Sequence, residues 1–171
     1  LCLGAADYGG ELYDKLKDIP GRKLFAGLFL FTSVFSGILT LGREAVSDYQ
    51  LYSPSQVALA EYIEENTAAN AVFLTDTRHN NEIPSLTGRN IVCGADTFLY
   101  FHGVDTTTRK ADLKLMYEAP LDNMSLYEQY QVDYVVISSF EKHSYKINET
   151  IFAENFTEIF SYGDVTLYQM K

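Results

Sequence analysis

Tryptophan is absent from this chain of 171 residues, and cysteine occurs only at Cys2 and Cys93. Two cysteines do not make the disulfide framework that staples small secreted domains. Cys93 follows Ile91-Val92 in an apolar run and reads as a buried free thiol. Positive charge is also scarce. The chain carries 13 Lys and Arg against 23 Asp and Glu, a net charge of −10, and residues 44–171 hold 8 against 19, a balance of −11. Such acidity argues against a nucleic-acid partner, which needs a basic patch. It also argues against lying flat on anionic lipid. No H-x-x-x-H, H-E-x-x-H or C-x-x-C spacing occurs, nor G-x-S-x-G, G-x-G-x-x-G or a P-loop. Zinc hydrolysis, elbow-type acyl transfer and phosphate cradling therefore lack their usual signatures. There is no internal repeat and no low-complexity segment.

Charge is missing altogether from Leu24 to Gly42, LFAGLFLFTSVFSGILTLG, which Arg22-Lys23 and Arg43-Glu44 bracket. A bilayer core needs roughly 20 apolar residues in helical form, and this run meets that length. Thr32, Ser33, Ser36 and Thr40 do not spoil it, because a helical hydroxyl bonds back to its own backbone. The run predicts a transmembrane helix over 24–42, with a buried core helix as the rival reading. A cleaved signal peptide fits less well, because some twenty polar or mixed residues precede the run. Lys15, Lys17, Arg22 and Lys23 lie before it, and only Arg43 lies in the stretch just after it. The positive-inside rule then makes residues 1–23 a cytoplasmic connector and residues 43–171 extracytoplasmic, at the cell membrane. The first residue is Leu rather than Met, so a longer parent protein is expected. Three sequons, at Asn123, Asn148 and Asn155, fall in the outer part.

After the apolar run, Ser53-Pro54-Ser55-Gln56 opens a helix with Val57, Leu59, Ala60, Tyr62 and Ile63 on its inner face. Ala71–Thr75 and Tyr134–Ser138 are short continuous apolar runs, the mark of strands buried on both faces. Asn90–Cys93 reads as a further strand. Thr107–Tyr117, Ser125–Tyr130 and Phe152–Phe156 read as helices, with a short helix over Asp96–His102 whose Phe98, Leu99, Tyr100 and Phe101 are expected to be buried. Thr157–Tyr162 and Val165–Gln169 pair across Gly163-Asp164 as a hairpin. The expected fold is α/β: one transmembrane helix, then a three-layer domain whose mixed sheet has parallel strands in the middle and a C-terminal β-hairpin at one edge.

Polar residues concentrate between Asp76 and Arg109. Asp76, Arg78, His79, Asn80 and Asn81 directly follow the first buried strand, and ligands of open α/β sheets bind beyond the carboxyl ends of their parallel strands. Arg89 and His102 fall in turns that can fold over the same end. Arg89 and Arg109 are able to grip a carboxylate or phosphate as a pair, and the plainer reading of each is a salt bridge to Asp76, Glu82, Asp105 or Glu118. A metal site built from Asp76, His79, Asp96, His102 and Asp105 has no supporting spacing. Tyr100, Phe101 and Tyr117 are available to stack on sugar faces, although most aromatics serve the core.

One ordered set of short motifs resembles a known family. It comprises Glu61-Tyr62-Ile63-Glu64-Glu65-Asn66-Thr67, Ala71–Thr75, Ser85-Leu86-Thr87-Gly88-Arg89, His102-Gly103, Arg109 with Asp112-Leu113, Tyr130–Val136, and Leu167-Tyr168. The pattern, over about 130 residues, resembles the C-terminal extracytoplasmic domain of polytopic membrane proteins of the GT-C glycosyltransferase type, uncharacterised bacterial relatives among them. The resemblance implies membrane as a partner, a lipid-linked sugar donor, a glycan or protein acceptor, and room for a divalent metal in the full protein. It implies no catalytic residue among these, because the family's catalytic carboxylate lies in an early outer loop that is not among them, and no cofactor is expected within these residues. The implied role is accessory, in acceptor or donor binding. Two other readings stand beside it: an anchored extracytoplasmic ligand-binding or sensor module, and an anchored enzyme whose whole site lies in residues 44–171.

Overall fold

The computed structural model describes residues 2–170, and side chains from residue 6 to residue 170. The side chain of Cys2 lies outside the described ones. The chain divides into two units, one ending at Tyr49 and the other beginning at Gln50. The first contains α1 (Cys2–Lys15) and α2 (Arg22–Ala45). The helix α1 takes up 14 residues of the stretch read from sequence as a connector. None of the α2 residues is buried, and the helix is long and apolar enough to cross a membrane. Its hydroxyls bond back as expected: Thr32 and Ser33 donate to the Phe29 carbonyl at 2.9 and 2.8 Å, and Thr40 to that of Ser36 at 3.1 Å.

In the second unit, α3 (Pro54–Asn66) is followed by β1 (Val72–Leu74) and β2 (Asn90–Ile91), then by α4 (Asp96–Phe101), α5 (Thr107–Glu118) and α6 (Met124–Gln129). The chain then forms β3 (Tyr134–Ile137), α7 (Ser139–Ser144), α8 (Glu149–Asn155), β4 (Thr157–Tyr162) and β5 (Val165–Gln169). The strand order is β2-β1-β3-β5-β4. β1 runs parallel to β2 and β3, and the hairpin β4–β5 joins antiparallel through β5. This is the expected mixed sheet with its hairpin at one edge.

Strand alternation sends successive side chains to opposite faces, and both faces are covered. Phe73, Tyr134, Val136 and Leu167 pack with Leu59 and Ile63 of α3 and with Ile83. Leu74, Val135 and Ile137 pack on the other face with Leu113, Met116 and Tyr117 of α5, Tyr127 of α6 and Phe152 of α8. All four β3 residues are buried, which explains why that strand reads as a continuous β-branched run. The unit thus closes a core of its own.

Local chemistry sets the helix starts. Ser53 caps α3 in a reciprocal box: its Oγ accepts from the Gln56 amide, and Gln56 Oε1 accepts from the Ser53 amide at 2.8 Å. Ser138 and Glu141 repeat the arrangement at α7, a helix the hydrophobic pattern does not announce. Between β1 and β2 the chain makes one wide π-helical turn, Ile83–Thr87, closed by Gly88 at φ +65°.

Candidate functional site

The loop after β1 folds into a buried polar cluster at the carboxyl ends of β1 and β3. Asp76, Asn81 and Glu82 are all buried, joined by Thr75 and, from the far side, by Ser138 and Glu141. Glu141 is the hub. Its Oε1 accepts from Thr75 Oγ1 at 2.9 Å and from the Asp76 amide at 3.0 Å. Its Oε2 accepts from the Ser138 amide at 2.9 Å and from Ser138 Oγ at 2.5 Å. Asn81 Nδ2 donates to Thr75 Oγ1 at 2.8 Å and to Asp76 Oδ1 at 3.0 Å, while its Oδ1 accepts from the Ile83 amide and starts the π turn.

Arg78 covers this cluster. Its guanidinium reaches Asp76 Oδ2 at 3.4 Å, makes a close ion pair with Glu82 Oε2, and lies 3.7 Å from the ring centre of Phe140. Gln56 Nε2 donates to the same Glu82 oxygen at 3.1 Å, so the first turn of α3 is tied to the loop. Two carboxylates, Asp76 and Glu82, therefore share one arginine, and a third, Glu141, lies behind them on neutral donors. Burial pushes the Asp76 carboxyl up to about 6; the Glu141 charge adds to the rise, and Arg78 and Asn81 oppose it. Two buried polar atoms here, Arg78 Nε and Glu82 Oε1, have no hydrogen-bond partner.

The sequence-derived candidates separate into groups. Asp76, Arg78 and Asn81 meet in the cluster. Asn80 lies beside them, half-buried. His79 is exposed and stacks on Phe98 with ring centres 4.3 Å apart. His102 is exposed at the end of α4. Arg89 and Arg109 form no pair for an anion. Arg89 donates to Thr67 Oγ1 at 3.2 Å and to the carbonyls of Thr67 and Thr87 at 3.1 and 3.2 Å, closing the end of α3. Arg109 donates to the Val92 carbonyl at 2.9 Å and faces the Tyr130 ring. Both therefore bond backbone carbonyls where salt bridges to Asp76, Glu82, Asp105 or Glu118 were expected. A helix end and a strand end each present carbonyls that need donors.

Glu82 and Glu141 are the carboxylates of the cluster that the sequence did not single out as site residues, and Thr75 and Ser138 were read only as strand residues. The only available signal for Glu141 was its place three residues after Ser138, the capping-box spacing.

The aromatic expectation is corrected too. Phe98, Tyr100 and Phe101 are 48%, 76% and 79% exposed. At 3.6 residues per turn, neighbouring positions of α4 point about 100° apart, so one inner face cannot take all of these rings. A groove of about 430 Å³ runs from Tyr100, Phe101 and Val104 to Asp105, Thr107 and Lys110. Asp96 at its edge pairs with Lys110 at 2.5 Å. Among the described residues, no group of three or more His, Cys, Asp or Glu is placed to hold a metal ion. Cys93 is a buried free thiol, and burial raises its pKa. The sequon amides make local bonds: Asn148 Oδ1 caps α8, and the Nδ2 groups of Asn123 and Asn155 donate to the Ala119 and Ile151 carbonyls.

No protein-family model matches the chain, and no curated protein matches it. Among solved structures, the crystal structure of the C-terminal globular domain of an oligosaccharyltransferase from Archaeoglobus fulgidus is similar. The TM-score is 0.49 and the identity 12%, over 70% of this chain and 99% of that domain.

Proposed function

We propose that residues 50–171 are the extracytoplasmic accessory domain of a multi-pass membrane glycosyltransferase-like protein, anchored by α2, assisting acceptor or donor binding and not catalytic alone. The observation that carries the anchored part is α2 itself. It is a 24-residue helix with no buried residue, next in sequence to a unit that closes its own core. An apolar helix of that length matches the thickness of a hydrocarbon core. The transferase part rests on the ordered motifs of the sequence. Several of those residues meet in space and maintain the architecture: Thr67, Thr87 and Arg89 close α3, and Arg109 and Asp112 gather around Tyr130. The accessory role is supported by the cluster after β1, whose carboxylates are largely engaged in building the loop.

One observation favours a second reading, a ligand-binding or sensor module. Arg78 Nε and Glu82 Oε1 are buried without partners, and unpartnered buried groups are costly. In that reading Asp76, Arg78, His79, Asn80 and Asn81 surround a small polar ligand, which draws Arg78 away from Glu82.

The test is to sequence upstream of Leu1, express the whole protein, and map its topology by cysteine accessibility. Transfer from a lipid-linked sugar is then assayed with and without residues 50–171. Several further spans, transfer that weakens when the domain is removed, and no transfer by the domain alone are the expected results. A single span, or transfer by the isolated domain, overturns the proposal.

A further inference from the structure

The α4 loop holds an uncharged run, Thr97-Phe98-Leu99-Tyr100-Phe101-His102-Gly103-Val104, inside a strongly acidic unit. Four of its apolar side chains, Phe98, Tyr100, Phe101 and Val104, are 48–79% exposed. Contiguous exposed apolar groups of this kind mark a contact surface, and their place in the domain points to its partner.

Contacts within the second unit connect this loop to the end where the chain enters from α2. Ser53 caps α3. Gln56, in the first turn of α3, bonds Glu82; Glu82 holds Arg78; the next residue, His79, stacks on Phe98. Arg78 also lies over Phe140, which is 44% exposed. The aromatic loop and the N-terminus of α3 therefore share one end of the domain. Only residues 46–53 separate α2 from α3, and at about 3.5 Å per extended residue they span at most about 28 Å. With α2 in a bilayer, this tether keeps the N-terminus of α3 within that distance of the end of α2.

We infer that the Phe98–Val104 loop docks into the interfacial layer of the bilayer that α2 spans, with Tyr100 and Phe101 as the inserted anchors. The inference rests on the reading of α2 as a spanning helix. Amphipathic aromatic rings favour the headgroup level of a membrane. The balance of −11 across residues 44–171 favours a zwitterionic surface over an anionic one. Docking would hold the adjoining Asp76–Arg78 cluster beside the membrane, where a lipid-linked substrate has its headgroup.

The absence of tryptophan makes the test direct. Phe101→Trp and, at the opposite end of the sheet beside Asp133 and Met170, Glu128→Trp each introduce a sole tryptophan into residues 1–171, which are reconstituted in phosphatidylcholine vesicles. Flotation after carbonate treatment checks that α2 is inserted. Docking predicts a blue-shifted emission for Phe101→Trp that brominated phosphatidylcholine quenches strongly, with Glu128→Trp unshifted and unquenched. If the vesicles carry the protein but Phe101→Trp emits and quenches like Glu128→Trp, docking is overturned and the spanning helix stands. If carbonate strips the protein from the vesicles, the spanning reading itself fails. A blue shift that appears without lipid in the 50–171 unit and grows with protein concentration assigns the loop to a second copy of the chain and also overturns docking.

Discussion

One carboxylate oxygen of Glu141 accepts the backbone amide of Asp76 at 3.0 Å, and the charge it brings helps to hold the Asp76 carboxyl up at about 6. The start of α7 thus both anchors the loop after β1 and tunes its acid.

The first prediction concerns pH. The native state binds the Asp76 proton more tightly than the unfolded chain, because its pKa rises from 3.8 to about 6. Its contribution to stability is therefore full below about pH 4 and is lost as pH climbs through about 6. At about 1.4 kcal/mol per unit, the loss is of order 3 kcal/mol. Asp76→Asn carries no such titration. Urea unfolding of the 50–171 unit at pH 4 and pH 7 should show the variant gaining on the wild type by up to about 3 kcal/mol as pH rises. A constant difference between the two would refute the shift.

A second prediction separates the two causes of that shift. Glu141→Gln removes the charge but keeps an acceptor, so Asp76 should titrate below 6 yet still above 3.8, because burial is the larger cause. Carboxyl carbon NMR across the acid range reads this out. Glu141→Ala additionally orphans donors from Thr75, Asp76 and Ser138, at about 1–3 kcal/mol for each group left buried and unpaired. It should be more destabilising than Glu141→Gln.

Arg89 provides a third. As a fastener of the α3 terminus it donates to the carbonyls of Thr67 and Thr87. Arg89→Ala should lower the urea midpoint by the equivalent of about 2 kcal/mol without changing the slope. Lysine should restore only part of this, since an ammonium cannot fork across several acceptors. An unchanged midpoint would return Arg89 to the list of ligand residues.

The fourth lies in the hairpin turn. Gly163 has φ +62°, and a Cβ there would come 3.1 Å from Ser55 Cβ. Gly163→Ala should cost roughly 1–2 kcal/mol for the left-handed backbone, plus whatever the displaced Ser55 loses from its 2.7 Å bond to Asp164. Calorimetry of the 50–171 unit should show a lower Tm. An unchanged Tm would mean that the turn can move away from α3.

Much of the fold was readable from one-dimensional pattern. The bounds Thr157–Tyr162 and Val165–Gln169 coincide with β4 and β5, because Gly163-Asp164 is a strong turn signal between two strand-like runs. β1 and β3 were visible because strands buried on both faces need uninterrupted apolar residues. α7 was hidden because SFEKHS has almost no apolar periodicity; its cap makes it a helix.

Residue order alone determined the long uncharged helix, the acidic balance, the mixed sheet and the neighbourhood after β1, since hydrophobic spacing and chain punctuation are local properties. The fate of each polar side chain was decided only in three dimensions. Glu141 lies 65 residues from Asp76, and no local rule places its carboxylate beneath that loop. Arg89 and Arg109 found carbonyls because folding brought strand and helix ends within their reach. Phe98, Tyr100 and Phe101 stayed outside because the core closed without them, and a ring's burial depends on what packs around it rather than on its own hydrophobicity.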